Sequence, residues 1–242
     1  MRIPRLFIPE VLQAHSRTLL PRDTAHYVFN VLRLRSGASV RVFNGGGGEF
    51  SGQIEAVGKK DAELVLGEFH PIETESPLQL TLVQAVSRPE HMDFTLQKSV
   101  ELGVQKIVPV LSERSPPLSA ERQAKRQQHW QGILTSACEQ CGRNRVPQLE
   151  ALTSLEAWLS LPRQGMGLML APTATQHFAD LAKPTGEVQL LIGAEGGLSE
   201  RELAFALEAG YQGIVLGKRI LRTETAAVAT LAICQAFWGD LA

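Results

Sequence analysis

The rhythm of apolar and polar positions changes once along this chain, near Pro71. Before it, short apolar runs alternate with turn residues, and Leu6–Ile8, Ser39–Phe43, Glu49–Ala56 and Ala62–Phe69 read as strands. Asn44-Gly45-Gly46-Gly47-Gly48 lies between two of these and predicts a hairpin turn, because Asn and Gly accept the positive φ that such turns need. It is not a phosphate loop: no Lys-Ser/Thr follows, and a strand comes next. One short helix is expected over Asp23–Val31. Several short strands with one helix predict a small β-barrel. Pro71-Ile72-Glu73-Thr74-Glu75-Ser76-Pro77 is polar with a proline at each end and reads as a linker.

After the linker, strand and helix patterns alternate. Strands are expected at Leu78–Ala85, Lys106–Leu111, Leu168–Leu170, Val188–Ile192 and Gly213–Leu216. Helices are expected at Pro89–Leu102 (ended by Gly103), at Ser119–Ala137 or slightly beyond, at Ser199–Glu208 and at Thr223–Phe237. This alternation predicts a parallel sheet with helices on its faces. The chain is therefore expected to form two domains, residues 1–72 and 73–242.

Composition narrows the class. Apolar residues make up 44% and charged residues 20% of the chain, as in an ordinary globular protein. No stretch has the apolar length of a membrane span, and no signal peptide is read at the start, so no membrane association is expected. The net charge of −1 gives no global nucleic-acid signal, yet between Arg114 and Arg145 six Lys/Arg stand against two acids. Such a local cluster can bind phosphate or simply solvate a helix face. Cys138 and Cys141 form a single C-x-x-C without the second pair a zinc site needs; with Cys234 they read as thiols of a reducing cytoplasm, and no metal is expected.

Two strand–loop–helix units carry the candidate chemistry. The first loop is Gly193-Ala194-Glu195-Gly196-Gly197-Leu198-Ser199, and the second is Leu216-Gly217-Lys218-Arg219-Ile220-Leu221-Arg222-Thr223-Glu224. Parallel strands deliver both loops to one sheet edge, where open α/β sheets bind ligands, and glycine lets backbone approach a ligand closely. Ser199-Glu200-Arg201-Glu202 is a capping box, so Ser199 reads as a helix cap and not a nucleophile. Glu195, among three glycines, either holds loop amides or meets a ligand or cation. Glu224 is explained as well by helix capping as by function, whereas Arg222 has no local reason for its place and suits phosphate or an anionic base. Glu139-Gln140-Cys141-Gly142-Arg143-Asn144-Arg145-Val146-Pro147 is dense in hydrogen-bonding groups, and Arg114 follows a strand at the same edge.

Together these motifs resemble the RsmE family of 16S ribosomal RNA uridine methyltransferases. Gln97-Lys98-Ser99-Val100-Glu101-Leu102-Gly103-Val104, Ser112-Glu113-Arg114-Ser115 and His26 with Val31-Leu32-Arg33 match its pattern too, so the resemblance covers nearly the whole chain. One departure is Ala194, where the family usually has proline. The resemblance implies an α/β protein: a SPOUT methyltransferase domain with a trefoil knot, preceded by a small PUA-like RNA-binding domain. It implies a cytoplasmic homodimer that uses S-adenosylmethionine, without a metal, to make N3-methyluridine near the 3′ end of 16S RNA in the small ribosomal subunit. Leu170, Pro172, Gly193, Glu195, Gly196, Gly197, Leu216, Gly217, Ile220, Leu221 and Arg222 are the implied cofactor residues. Arg5, His26, Arg33, Arg143 and Arg145 are the implied RNA contacts.

Uracil N3 carries a proton that must leave before or during attack, so the site needs a cation for the developing anion. Arg114 and Arg222 are the candidates, and Glu139 or Glu224 either takes the proton or orients an arginine. Competing readings are a SPOUT enzyme acting on transfer RNA or a ribose hydroxyl, a non-catalytic ribosome-assembly factor, and a nucleotide-binding metabolic enzyme.

Overall fold

The computed structural model describes residues 3–20, 22–57 and 61–241. The chain divides into two compact units, Met1–Glu75 with Cys138–Val146, and Ser76–Ala137 with Pro147–Ala242. The stretch Cys138–Val146, which a single cut at 72/73 assigned to the second domain, groups with the first unit.

The first unit contains β1 (Arg5–Phe7), β2 (Arg17–Leu19), α1 (Arg22–His26), a π-helical turn over Tyr27–Val31, β3 (Ser39–Phe43), β4 (Glu49–Val57) and β5 (Asp61–His70). They form one five-stranded sheet in the order β1-β3-β4-β5-β2, with β1 parallel to β3 and the other pairings antiparallel. Leu6, Ile8, Val28, Val40, Val42, Ile54, Leu64 and Leu66 build its core. The apolar pattern did not predict β2, and the reason is plain. It is a three-residue edge strand whose Leu19 is 62% exposed, so burial leaves no signal in its sequence.

The second unit contains β6 (Leu80–Ala85), α2 (Pro89–Glu101), β7 (Lys106–Leu111), α3 (Ala120–Cys141, its last turn in the first unit), β8 (Gln148–Leu149), β9 (Thr153–Ser154) and α4 (Leu155–Leu159). It continues with β10 (Met166–Leu170), β11 (Gln176–His177), a 3₁₀ turn at Phe178–Asp180, β12 (Val188–Ile192), α5 (Glu200–Glu208), β13 (Tyr211–Val215) and α6 (Thr223–Trp238). The sheet runs β11-β13-β10-β12-β6-β7-β8, with β9 also on β7, and every described pairing is parallel. The strands β6 and β12 are buried along their whole length, as a sheet covered on both faces requires. Val83, Ala85, Val108, Val110 and Leu191 pack with Leu155 and Leu159 of α4 and Ala206 of α5. α2 and α6 pack on each other, and α6 also contacts β12.

This strand order positions the site. β12 lies between β10 and β6; the chain leaves β6 towards β7 on one side and leaves β12 towards β13 on the other. A crevice opens at such a switch point, at the carboxyl ends of the strands. The loops after β6, β10, β12 and β13 emerge there.

Candidate active site

The loop after β12 is a tight backbone turn. Gly197 N–H donates to the Ala194 carbonyl at 2.8 Å, and Gly197 has φ +71°. A Cβ at Gly193 would come within 2.7 Å of the Gly197 carbonyl carbon, so only glycine lets the two ends of the turn close. Two side chains from other elements hold the loop. The Thr223 hydroxyl, at the start of α6, donates to the Gly193 carbonyl at 2.6 Å, and the Gln84 amide at the end of β6 donates to Thr223 Oγ1 at 3.1 Å. The Arg114 guanidinium donates to the Gly196 carbonyl. Arg114 is placed in turn by its neighbour: Glu113 N–H donates to Glu202 Oε1 at 2.8 Å, while Glu202 Oε2 accepts from Ser199 N–H at 2.8 Å and Ser199 Oγ accepts from Glu202 N–H at 3.2 Å. The capping box over Ser199–Glu202 is thus present, and its carboxylate also ties down the loop that carries Arg114.

Glu195 is engaged within the protein. Its Oε1 accepts the Arg88 N–H at 2.8 Å, at the N-terminus of α2, and lies 3.2 Å from His91 Nδ1. Burial pushes its carboxyl upward, but the Arg88 amide, its own amide and His91 outweigh this, and the net shift is below the usual carboxylate range. Glu224, in the first turn of α6, sets Oε2 3.7 Å from the same imidazole nitrogen, and that oxygen is buried without a hydrogen-bond partner. Neither His91 nor Gln84 was singled out from sequence. Gln84 left a signal, a fully buried amide inside the apolar run of β6; His91 left only a basic side chain in a helix's first turn, where the dipole disfavours it.

The second loop is open. Gly217 has φ +70° and is exposed, Ile220 is 93% exposed, and Leu216 and Leu221 are half-buried. Arg222 is the N-cap residue of α6, exposed, and among the described residues its guanidinium has no hydrogen-bond or ion-pair partner. After β10, Leu170 is half-buried and Pro172 exposed, and Ala171 N–H donates to the Ile214 carbonyl at 3.2 Å. Arg114, Arg222 and Glu224 therefore belong to the loops at this one sheet edge.

Glu139 belongs to the first unit, where Oε1 accepts the Phe7 N–H at 3.0 Å. Burial raises its carboxyl above the usual range, partly offset by the Phe7 amide, the Tyr27 hydroxyl and the Arg5 charge. Its oxygens hold β1 and the π-helical turn.

Two of the expected RNA contacts are engaged within the first unit. Arg5 is an interior strut: it pairs with Glu49, donates to the Arg143 carbonyl at 2.9 Å and to Asn144 Oδ1 at 2.7 Å, and lies over the Phe43 ring. Arg143 is 4% exposed and grips Glu75 through Nε at 2.9 Å and through Nη2. A guanidinium enclosed by its own chain offers phosphate little. His26 and Arg33 are exposed, Arg33 with a left-handed φ of 54°, and Arg145 is half-exposed beside Glu73 at 3.0 Å. In the same segment, burial pushes the Cys138 thiol up to about 12, so it stays protonated and inert.

A cleft of about 250 Å³ lies at the opposite sheet edge, lined by Lys106, Trp158, Arg163, Glu187, Gln189 and Tyr211. Its polar groups serve one another. Trp158 Nε1 donates to Tyr211 Oη at 3.3 Å, Tyr211 to Gln189 Oε1 at 2.9 Å, Gln189 to Glu187 at 3.3 Å, and Thr81 donates to Glu187 as well. The chemistry therefore points to the loop edge. Among the described residues no group of His, Cys, Asp and Glu is arranged to hold a metal ion, and no helix is long and apolar enough to cross a membrane.

A parallel-sheet unit with its loops gathered at a switch point, joined to a small β unit, defines a class that comparison with known proteins makes explicit. Residues 74–235 match an RNA methyltransferase domain, and residues 20–67 match an RNA methyltransferase PUA domain. Within that class the chain belongs to the ribosomal RNA small subunit methyltransferase E family. The protein of that name from Buchnera aphidicola subsp. Schizaphis graminum is 34% identical, over 99% of this chain and 98% of its own. A solved ribosomal RNA small subunit methyltransferase E from Neisseria gonorrhoeae, bound to S-adenosyl methionine, is 40% identical with a TM-score of 0.92 over the whole of both chains. A Legionella pneumophila protein solved in complex with the cofactor SAM is 36% identical with a TM-score of 0.96, again over both whole chains.

Proposed function

We propose that this protein transfers the methyl group of S-adenosylmethionine to N3 of a uridine near the 3′ end of 16S ribosomal RNA in the small subunit, in the cytoplasm and as a homodimer. The observation that carries the reading is the glycine turn Gly193–Gly197, locked by Thr223 and Arg114 at the sheet edge where the loop to Arg222 also emerges. Exposed backbone at Gly217 and the uncovered side chain of Ile220 suit an adenine nucleoside, which needs main-chain hydrogen bonds and an apolar cover. Leu170, Pro172, Gly193, Gly196, Gly197, Leu216, Gly217, Ile220 and Leu221 would hold it, in the trefoil knot that the family resemblance implies. When bound, the sulfonium supplies an already activated methyl group, so no metal is required.

The protein's own residues then have a defined task. The N3 proton of uracil must leave, the N3–methyl bond forms as the sulfur–methyl bond breaks, and S-adenosylhomocysteine departs. The unpartnered guanidinium of Arg222 is suited to the uracil anion that develops when the proton leaves, and Arg114 holds the loop at Gly196 beside it. Glu224 is the carboxylate of this edge that can take the proton or orient Arg222. Because N3 is blocked in a Watson–Crick pair, the uridine must be unpaired or flipped out. The PUA-like unit grips the RNA backbone through His26, Arg33 and Arg145.

The test uses purified protein, S-adenosylmethionine and small subunits lacking the modification, followed by nuclease digestion and mass spectrometry. N3-methyluridine that requires both enzyme and cofactor is the expected product. A ribose-methylated nucleoside, or methylation of transfer RNA alone, would replace this reading with another enzyme of the class.

A further inference from the structure

α2 opens with His91 in its first turn, where the positive end of the helix dipole disfavours a cation. Two carboxylates from other elements offset that cost. Glu195, from the loop after β12, lies 3.2 Å from Nδ1, and Glu224, from α6, lies 3.7 Å from the same nitrogen. Glu195 also accepts the Arg88 N–H of the β6–α2 turn. One imidazole thus stands where three segments converge: the start of α2, the glycine loop, and the helix into which the second loop runs. The other charged side chains near it in sequence, Arg88 and Glu90, are exposed, and Asp93 is paired with His129 at 2.8 Å.

The two charge states of the ring differ in what they hold. A neutral ring carrying its proton on Nδ1 donates to Glu195 but leaves Glu224 Oε2 buried with neither donor nor countercharge. An imidazolium balances both carboxylates at once. We propose that His91 is a positioning residue whose imidazole, set between Glu195 and Glu224, ties the two cofactor loops together and so strengthens the hold on the methyl donor. This rests on the assignment of these loops to S-adenosylmethionine and adds the group that keeps them in register.

The experiment measures S-adenosylmethionine dissociation constants by calorimetry at one fixed pH for wild type, His91→Lys and His91→Gln. Wild type should bind roughly two- to fivefold more tightly than the Gln variant. The Lys variant, which places an ammonium near the two carboxylates, should bind closer to wild type than to the Gln variant. The same comparison is made on the thermal midpoint of the protein without cofactor, where the Gln variant should fall below wild type and the Lys variant. Equal affinity of wild type and the Gln variant would overturn the proposal, as would a Lys variant no better than the Gln variant. Should none of the proteins bind S-adenosylmethionine, the loop assignment fails, while the thermal comparison still decides whether His91 is the tie.

Discussion

At the scale of single residues, the site separates side chains that hold the loops from side chains that are left exposed. Gly193, Thr223 and Arg114 are committed to loop geometry, while Arg222, next to Thr223, is exposed and has no partner among the described residues. Arg222→Ala should therefore lower kcat by about a hundredfold, the usual cost of losing a group that stabilises developing charge. The dissociation constant for S-adenosylmethionine should stay within about twofold; unchanged kcat with only a raised KM would contradict this role. Glu139 makes a different prediction. Its carboxyl is raised by burial, so between the ordinary carboxylate range and its folded value the native state binds more protons than the unfolded chain, and stability falls as pH rises. Glu139→Gln should melt higher than wild type at neutral pH, lose that advantage as pH falls into the carboxylate range, and keep its turnover. Loss of turnover with intact folding would place Glu139 in the catalytic set.

At the scale of elements, local pattern made most of the fold legible. The alternation after Pro77 marked β6, β7, β12, α2, α5 and α6 to within a residue or two, because each buries a face whose period its sequence must carry. The Ser199 capping box was readable for the same reason, since its partners lie three residues apart. The pairing of Glu202 with Glu113 was not, because those residues are far apart in sequence and only the order of strands brings them together. The ion pairs of Arg143 with Glu75 and of Arg145 with Glu73 were hidden in the same way, because those partners lie about seventy residues away in sequence. The capping box gives an element-level prediction. Ser199→Ala should cost about 1 kcal/mol of stability and leave activity near normal. Glu202→Ala also releases the Glu113 amide, the anchor of the loop that carries Arg114, so turnover should fall further than with Ser199→Ala at a matched loss in thermal midpoint. Equal turnover in the two variants would show that the tie does not matter.

At the scale of the whole molecule, a chain of net charge −1 acts on RNA through local charge. His26 and Arg33, exposed on the PUA-like unit, should contribute to RNA affinity while leaving cofactor affinity alone. Arg33→Ala should weaken RNA binding and reduce its salt dependence by about one counterion, read from filter binding across a salt series; an unchanged salt slope would remove Arg33 from the interface. The central claim is that the loop edge of the parallel sheet is the methyl-donor site. Hydrogen exchange with and without S-adenosylmethionine tests it most directly. Protection is predicted in the loops at 170–175, 193–199 and 216–223 and at the start of α2. Protection at the Lys106–Tyr211 cleft on the opposite edge, with these loops unchanged, would contradict it.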